Sequence, residues 1–213
     1  MSGEFQGRQS FMNQVGAGVQ SLIRQDQYAN IVVSQSLPKY ADLALSNKLF
    51  IAAQATTSIA PAIAPLTTSA QHLLYNSSST KRLVVIRAWV ALESGTRAIG
   101  SSLWGCITQA AEATAPAAAT GVVSKGLGHT ATAAGLYDTA VTLDATEAWF
   151  MLAAKDALAD ANESSGMLVA DLDGLVVVPP LRSFGMSVRD SAAGTTPLYS
   201  GGFIWAELAL DAA

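Results

Sequence analysis

The sequence predicts a mainly β protein: a β-sandwich or jelly roll preceded by an extended N-terminal arm and a short helix. Two observations predict it. Lys81 to Leu92 (KRLVVIRAWVAL) is the longest run of strand formers, bounded by Asn76 to Thr80 and by Glu93 to Thr96. Val, Ile and Trp favour a pleated, half-buried surface, whereas Ser, Asn and Gly clusters mark chain reversals. Beyond it, short apolar stretches alternate with turn signals, about eight to ten strands in all, the pattern of a sandwich or jelly roll.

Residues 1–47 read as the arm with its helix, and 48–213 as the β domain. In the arm Phe5, Phe11 and Tyr28 are spaced by Gly, Gln, Asn and Ser, and Gly16 and Gly18 weaken any helix. Spaced apolar anchors of this kind gain stability only on another surface, so these three are candidate partner-binding residues. Ile31-Val32-Val33 is a short strand candidate. Ser36 and Pro38 suit a helix start, and Tyr40, Leu43 and Ala44 form one stripe on a short helix ending near Leu45. Tyr40 and Leu43 join the candidate contacts.

Lys48 to Ala52 resumes an extended pattern. Pro61 and Pro65 make residues 53–71 a loop or an edge strand. His72 to Tyr75 is expected to pair with the core strand as a hairpin through Asn76 to Thr80. On the core strand, strict alternation places Val84, Ile86, Ala88 and Val90 on one face and Leu83, Val85, Arg87 and Trp89 on the other. Both faces are then largely apolar, as in a sandwich or at a subunit interface. Arg87 needs a partner on its face and is a further candidate contact.

Arg97 to Gln109 reads as a strand, residues 110–136 as loops, and Tyr137 to Leu143 as a half-buried strand. Residues 146–161 (TEAWFMLAAKDALADA) are open: propensity supports a helix, while Trp149 to Leu152 could begin a strand. Met167 to Leu172 and Leu175 to Val178 read as a hairpin about Asp173-Gly174, ended by Pro179-Pro180. Ser183 to Arg189 and Gly202 to Leu208 close the domain.

Composition narrows the function. The 213 residues are only 13% charged and 50% hydrophobic, much of the latter alanine. A surface rich in small neutral groups costs little to desolvate and suits burial against neighbouring subunits. A net charge of −4, with scattered Lys and Arg, argues against a nucleic-acid task. A single cysteine, Cys106, excludes an intramolecular disulfide framework and reads as a core residue. No stretch reads as a membrane span. The N-terminus has no secretory pattern, so the expectation is assembly in a cytoplasm. The triplets beginning at Asn76 and Asn162 are then chance matches to glycosylation signals.

No residues form a catalytic constellation, and no cofactor or metal site is expected. His72 and His129 lack metal-ligand spacing. No Gly-x-Ser-x-Gly elbow is present. Gly121 to Gly128 lacks the Gly-Lys-Ser/Thr ending of a phosphate loop. Asp171 and Asp173 could join a calcium site, but a turn using Asp-Gly for its backbone geometry is the stronger reading. Trp89, Trp104, Trp149 and Trp205 sit in apolar strand contexts and read as core.

The layout resembles a family. A polar arm leads into Ser34-Gln-Ser-Leu-Pro-Lys-Tyr40 and Leu49-Phe50. Leu74-Tyr75-Asn76 precedes the strand Leu83 to Ile86, and an Asp-Gly, a Pro-Pro and a terminal Phe-Ile-Trp-Ala-Glu follow. This is similar to small jelly-roll virion proteins of tailed bacteriophages, of the capsid decoration, cement or head and tail fibre type. The resemblance implies a non-enzymatic structural protein of the virion, a homotrimer that stabilises the head, with itself and the major capsid or other virion proteins as partners. The alternative it leaves open is a tail or head fibre module binding a host receptor or glycan.

Overall fold

The computed structural model describes residues 39–54, 59–62, 66–96, 100–112, 115–116, 124–155, 167–190 and 195–210. The chain divides into two compact units, Met1–Ala41 and Asp42–Ala213. Phe5, Phe11, Tyr28, Ile31 to Val33, Ser36 and Pro38 lie outside the described residues. In the first unit the Lys39 ammonium stands 5.0 Å from the centroid of the Tyr40 ring. The helix α1 is Ala41–Leu45. Tyr40 precedes it in the left-handed region, at φ 69°, so it does not share the helical stripe with Leu43.

The second unit is a sandwich of two antiparallel sheets. Its strands are β1 (Leu49–Ala53), β2 (Ser69–Asn76), β3 (Lys81–Thr96), β4 (Ser101–Ile107), β5 (Lys125–Gly126), β6 (Gly135–Thr142), β7 (Phe150–Lys155), β8 (Met167–Val178), β9 (Ser183–Arg189) and β10 (Thr195–Ala209). The first sheet has the order β5-β1-β10-β3-β8 and the second β6-β2-β9-β4-β7. Between them lie Phe50, Leu83, Val85, Ala88, Val90, Phe203 and Trp205 from the first sheet. Leu74, Leu103, Tyr137, Phe184 and Met186 come from the second. Removing each such Leu, Val, Met or Phe side chain from water stabilises by about 1.5–3 kcal/mol. The rings interlock: Phe50 stacks on Trp205 at 6.1 Å, and Phe203 meets Phe184 edge-on at 5.7 Å.

Strict alternation fails on β3 at one residue. Val85 pairs with Trp205 and Arg87 with Ile204, so two steps on β3 match one on β10. Ile86 is the extra residue of a β-bulge. Leu83 and Val85 face the core before it, and Ala88 and Val90 after it. The face expected from Val84 to Val90 therefore does not exist as a single row. Arg87 and Trp89 point outward, away from Leu83 and Val85.

Two expected hairpins are also absent. Asn76 to Thr80 carries the chain from the second sheet to the first, and β2 pairs with β6 and β9. The Asn76 side chain fixes this crossing. Its amide donates to Lys81 O at 2.9 Å and to Val178 O at 3.1 Å, and its Oδ1 accepts from Ser78 N at 3.1 Å. Asp173-Gly174 lies inside a single strand, β8. Val85 pairs with Val176 and Arg87 with Asp171, so residues 172–175 stand opposite Ile86 alone. Asp173 and Gly174 take φ 46° and 92°. These are the left-handed conformations that the dipeptide favours, used here to bulge a strand and not to reverse it. In the ambiguous segment, pairing with β4 overrides helical propensity, and residues 150–155 form β7. Residues 156–161 lie outside the described residues.

One buried carboxylate ties the end of β10 to the chain entering β6. Glu207 Oε1 accepts from Ala134 N at 2.6 Å, Gly135 N at 3.1 Å and Trp205 Nε1 at 3.4 Å, and Oε2 meets Lys81 Nζ at 2.9 Å. Glu207→Ala should lower the unfolding free energy by about 2–4 kcal/mol, the penalty for stranding two buried N–H donors. Lys81 is half-exposed and stays hydrated, so its lost pairing adds little. Urea unfolding measures this, and Glu207→Gln, which keeps an acceptor, should lose less.

Candidate functional site

The described residues assemble no catalytic group. They contain no set of three or more His, Cys, Asp and Glu side chains able to hold a metal ion. His129 is committed to structure: Nε2 donates to Leu49 O at 2.8 Å, and Nδ1 accepts from Ala131 N at 3.2 Å. Its ring packs edge-on against Phe50 at 4.9 Å. His72 is fully buried between the sheets. Burial pushes the Cys106 thiol up to about 12, which leaves it protonated and inert. Asp171 pairs with Arg87 and gathers no oxygen cage. Asn76 is fully buried, with its amide engaged, so no glycan can be attached to the fold there.

What the sandwich offers is a contrast between its two outer faces. On the second sheet the chain covers its own strands. Leu73, Tyr75, Cys106 and Leu143 form a satellite core, with Leu136, Val141 and Trp149 packed on it. Loop segments are hydrogen-bonded over this face: Trp149 Nε1 donates to Thr67 O at 2.8 Å, Leu143 N to Thr68 O at 2.6 Å, and Gln71 Nε2 to Ala60 O at 2.6 Å. Gln109 N donates to both oxygens of Glu147, at 3.2 and 3.3 Å. Glu112 bonds Asp144 N with Oε2 at 3.4 Å. Burial first, then the carboxylate of Asp144, raises its pKa.

The outer face of the first sheet is apolar and far more open. On β8 the outward side chains are Met167 (49% exposed), Val169 (37%), Leu175 (82%) and Val177 (37%). Beside them Val84 and Trp89 on β3 and Ile204 on β10 are half-buried. Trp89 is opposite Gly202 on one side and Val169 on the other. A Cβ on Gly202 would stand 2.5 Å from the indole, so the glycine lets the ring lie close on the neighbouring strand. Arg87 Nε meets Asp171 Oδ1 at 2.6 Å in the middle of this face, the two side chains being 48% and 57% exposed.

Of the residues singled out in the sequence, the structure places Arg87 on this face. Leu43 is half-buried on α1, and Tyr40 is half-buried in the first unit. The sequence reading missed Met167, Val169, Leu175 and Val177. The signal was present: in MLVADLDGLVVV both alternating sets are apolar, and only one can face the core. It also assigned all four tryptophans to the core. Trp205 lies there, whereas Trp89 is on the open face and Trp104 and Trp149 are only partly buried.

Comparison with protein-family models, curated proteins and solved structures found no match to this chain.

A double-mutant cycle with Arg87→Ala and Asp171→Ala on the isolated chain should give a coupling of about 0.2–1 kcal/mol, as for an exposed ion pair. Cys106 should resist iodoacetamide in the native protein and react fully in urea; mass spectrometry reads the label, and rapid native labelling would place the thiol at the surface.

Proposed function

We propose that the protein is a non-enzymatic virion structural protein of the decoration or cement type, which assembles as a homotrimer on a phage capsid. The observation that carries this reading is the open apolar face of the first sheet. Trp, Met and Arg, residue types enriched where proteins bury one another, stand there beside branched aliphatic side chains, and the Arg87–Asp171 pair on it is internally neutralised. A face of this kind is a liability in solution and a resource in an assembly.

Strand order supports the finer reading as a jelly roll. With β5 and β6 set aside, the sheets are β1-β10-β3-β8 and β2-β9-β4-β7. Every connection but that from β4 to β7 then crosses between sheets. This order supports a winding of eight strands in two Greek keys, an architecture that viral capsid proteins use among others. The link from fold to capsid is an analogy of architecture; the open face supplies the local argument.

Trp89→Ser combined with Val169→Lys should convert the oligomer to monomer and leave the β circular dichroism spectrum unchanged. Arg87→Ala should weaken assembly more than it weakens the monomer, because a desolvated Asp171 would remain in the contact. Sedimentation velocity reads both. A wild-type chain that stays monomeric at all concentrations, and is absent from purified particles, rules the reading out. A monomer that binds host-envelope glycans points to the fibre module instead.

A further inference from the structure

We propose that His72 is an acid-sensitive lock between the two sheets, a polar link that holds while the ring is neutral and fails when it is protonated. His72 lies on β2 in the second sheet and is fully buried. Its Nδ1 is 2.7 Å from the Tyr137 hydroxyl on β6, which donates onward to Gly201 O on β10 at 3.2 Å. With the hydroxyl hydrogen directed at Gly201, His72 donates from Nδ1, and the chain His72–Tyr137–Gly201 runs from the second sheet to the first. The other nitrogen, Nε2, has no hydrogen-bond partner. It faces Gly201 so closely that a Cβ there would stand 2.8 Å away. A neutral ring tolerates this, because a bare acceptor against a Cα costs little more than its desolvation. A protonated ring does not: its second N–H and its charge would point toward the backbone of the opposing sheet, where no acceptor stands within hydrogen-bond distance.

No nearby charge relieves this. The titratable groups on the strands packed against His72 are Tyr137 and Asp138 on β6, Arg189 on β9, Tyr199 and Glu207 on β10, and Lys81, Arg82, Arg87 and Glu93 on β3. Asp138 is paired with Leu73 and so stands on the opposite face of the sheet from His72. Tyr199 is bonded to Asp190 and Glu207 to Lys81. Burial is the cause that lowers the His72 pKa, from 6.5 to about 4. The unfolded chain therefore takes up this proton near pH 6.5 and the folded chain only near pH 4. The stability that depends on the neutral ring is complete above pH 6.5. It declines as the pH falls toward 4 and is fully lost below it. The sheets are thus locked at neutral pH and progressively released by acid, whatever assembly the protein belongs to.

The test compares wild type with His72→Leu and His72→Asn, following the urea-unfolding equilibrium from pH 7.5 to 4. Carboxylates contribute alike to all three, so the difference isolates this ring. Between those limits the wild-type unfolding constant should rise on the order of a hundredfold more than that of either variant. Parallel curves would overturn the proposal. Should neither variant fold, the histidine ring resonances of the wild type decide it. A His72 that stays neutral to near pH 4, with its Nδ1 proton retained, upholds the lock, and ordinary titration near 6.5 refutes it.

Discussion

The surface chemistry of this sandwich depends on one extra residue. Ile86 adds a step to β3 that β10 does not match, and β8 answers it with a wide bulge at residues 172–175. Side chains along a strand alternate, so a one-residue slip exchanges the two faces from that point on. Without the bulge, Leu83 and Val85 could not share the core with Ala88 and Val90. With it, Arg87 and Trp89 are delivered to the outside together, one beside Asp171 and the other over Gly202. The Asp173-Gly174 dipeptide follows from the same constraint: the partner strand must absorb the distortion, and a residue pair tolerant of positive φ does so without strain.

The two outer faces use the same chain differently. The second sheet is closed by local means. Backbone carbonyls at Ala60, Thr67 and Thr68 accept from Gln71, Trp149 and Leu143, and a small apolar cluster forms beneath those segments. Because that covering is intramolecular, its ordering cost is met once, on folding. The first sheet has no such cover among its described neighbours. Its exposed side chains Met167, Val169, Leu175 and Val177 remain in contact with solvent. A protein with few charges and many small residues can accept another surface cheaply, because little hydration is lost on contact.

Composition and turn chemistry made the fold class legible, because strand formers and breakers alternate along most of the chain. They also revealed that both sides of Lys81 to Leu92 are apolar. Sheet assignment was not legible. Asn76 to Thr80 looks like any tight turn, and only the pairing of Asn76 with Val178, distant in sequence, makes it a crossing between sheets. The Asp-Gly pair was read for its dihedral preference, which is correct, and for the commonest use of that preference, which is not the one here. Residues 150–155 show propensity yielding to context, since Ala153, Ala154 and Met151 pair with β4. Arg87 was marked as needing a partner, and Asp171 supplies one across a strand pair that the expected hairpin would have broken.

Two of the buried polar groups, Glu207 and His72, are handled in opposite ways. Glu207 is charged and buried, and it is surrounded by donors: two backbone N–H groups, an indole N–H and an ammonium. Its cost of desolvation is offset locally, and it fastens a loop to the end of β10. His72 is equally buried but given one partner and a wall of backbone. A ring with one nitrogen bonded and the other against backbone is stable in a single protonation state only. The same sandwich thus holds one polar fastening with a partner for each of its atoms and another with a nitrogen left over, and the difference lies in how many donors and acceptors each side chain can reach.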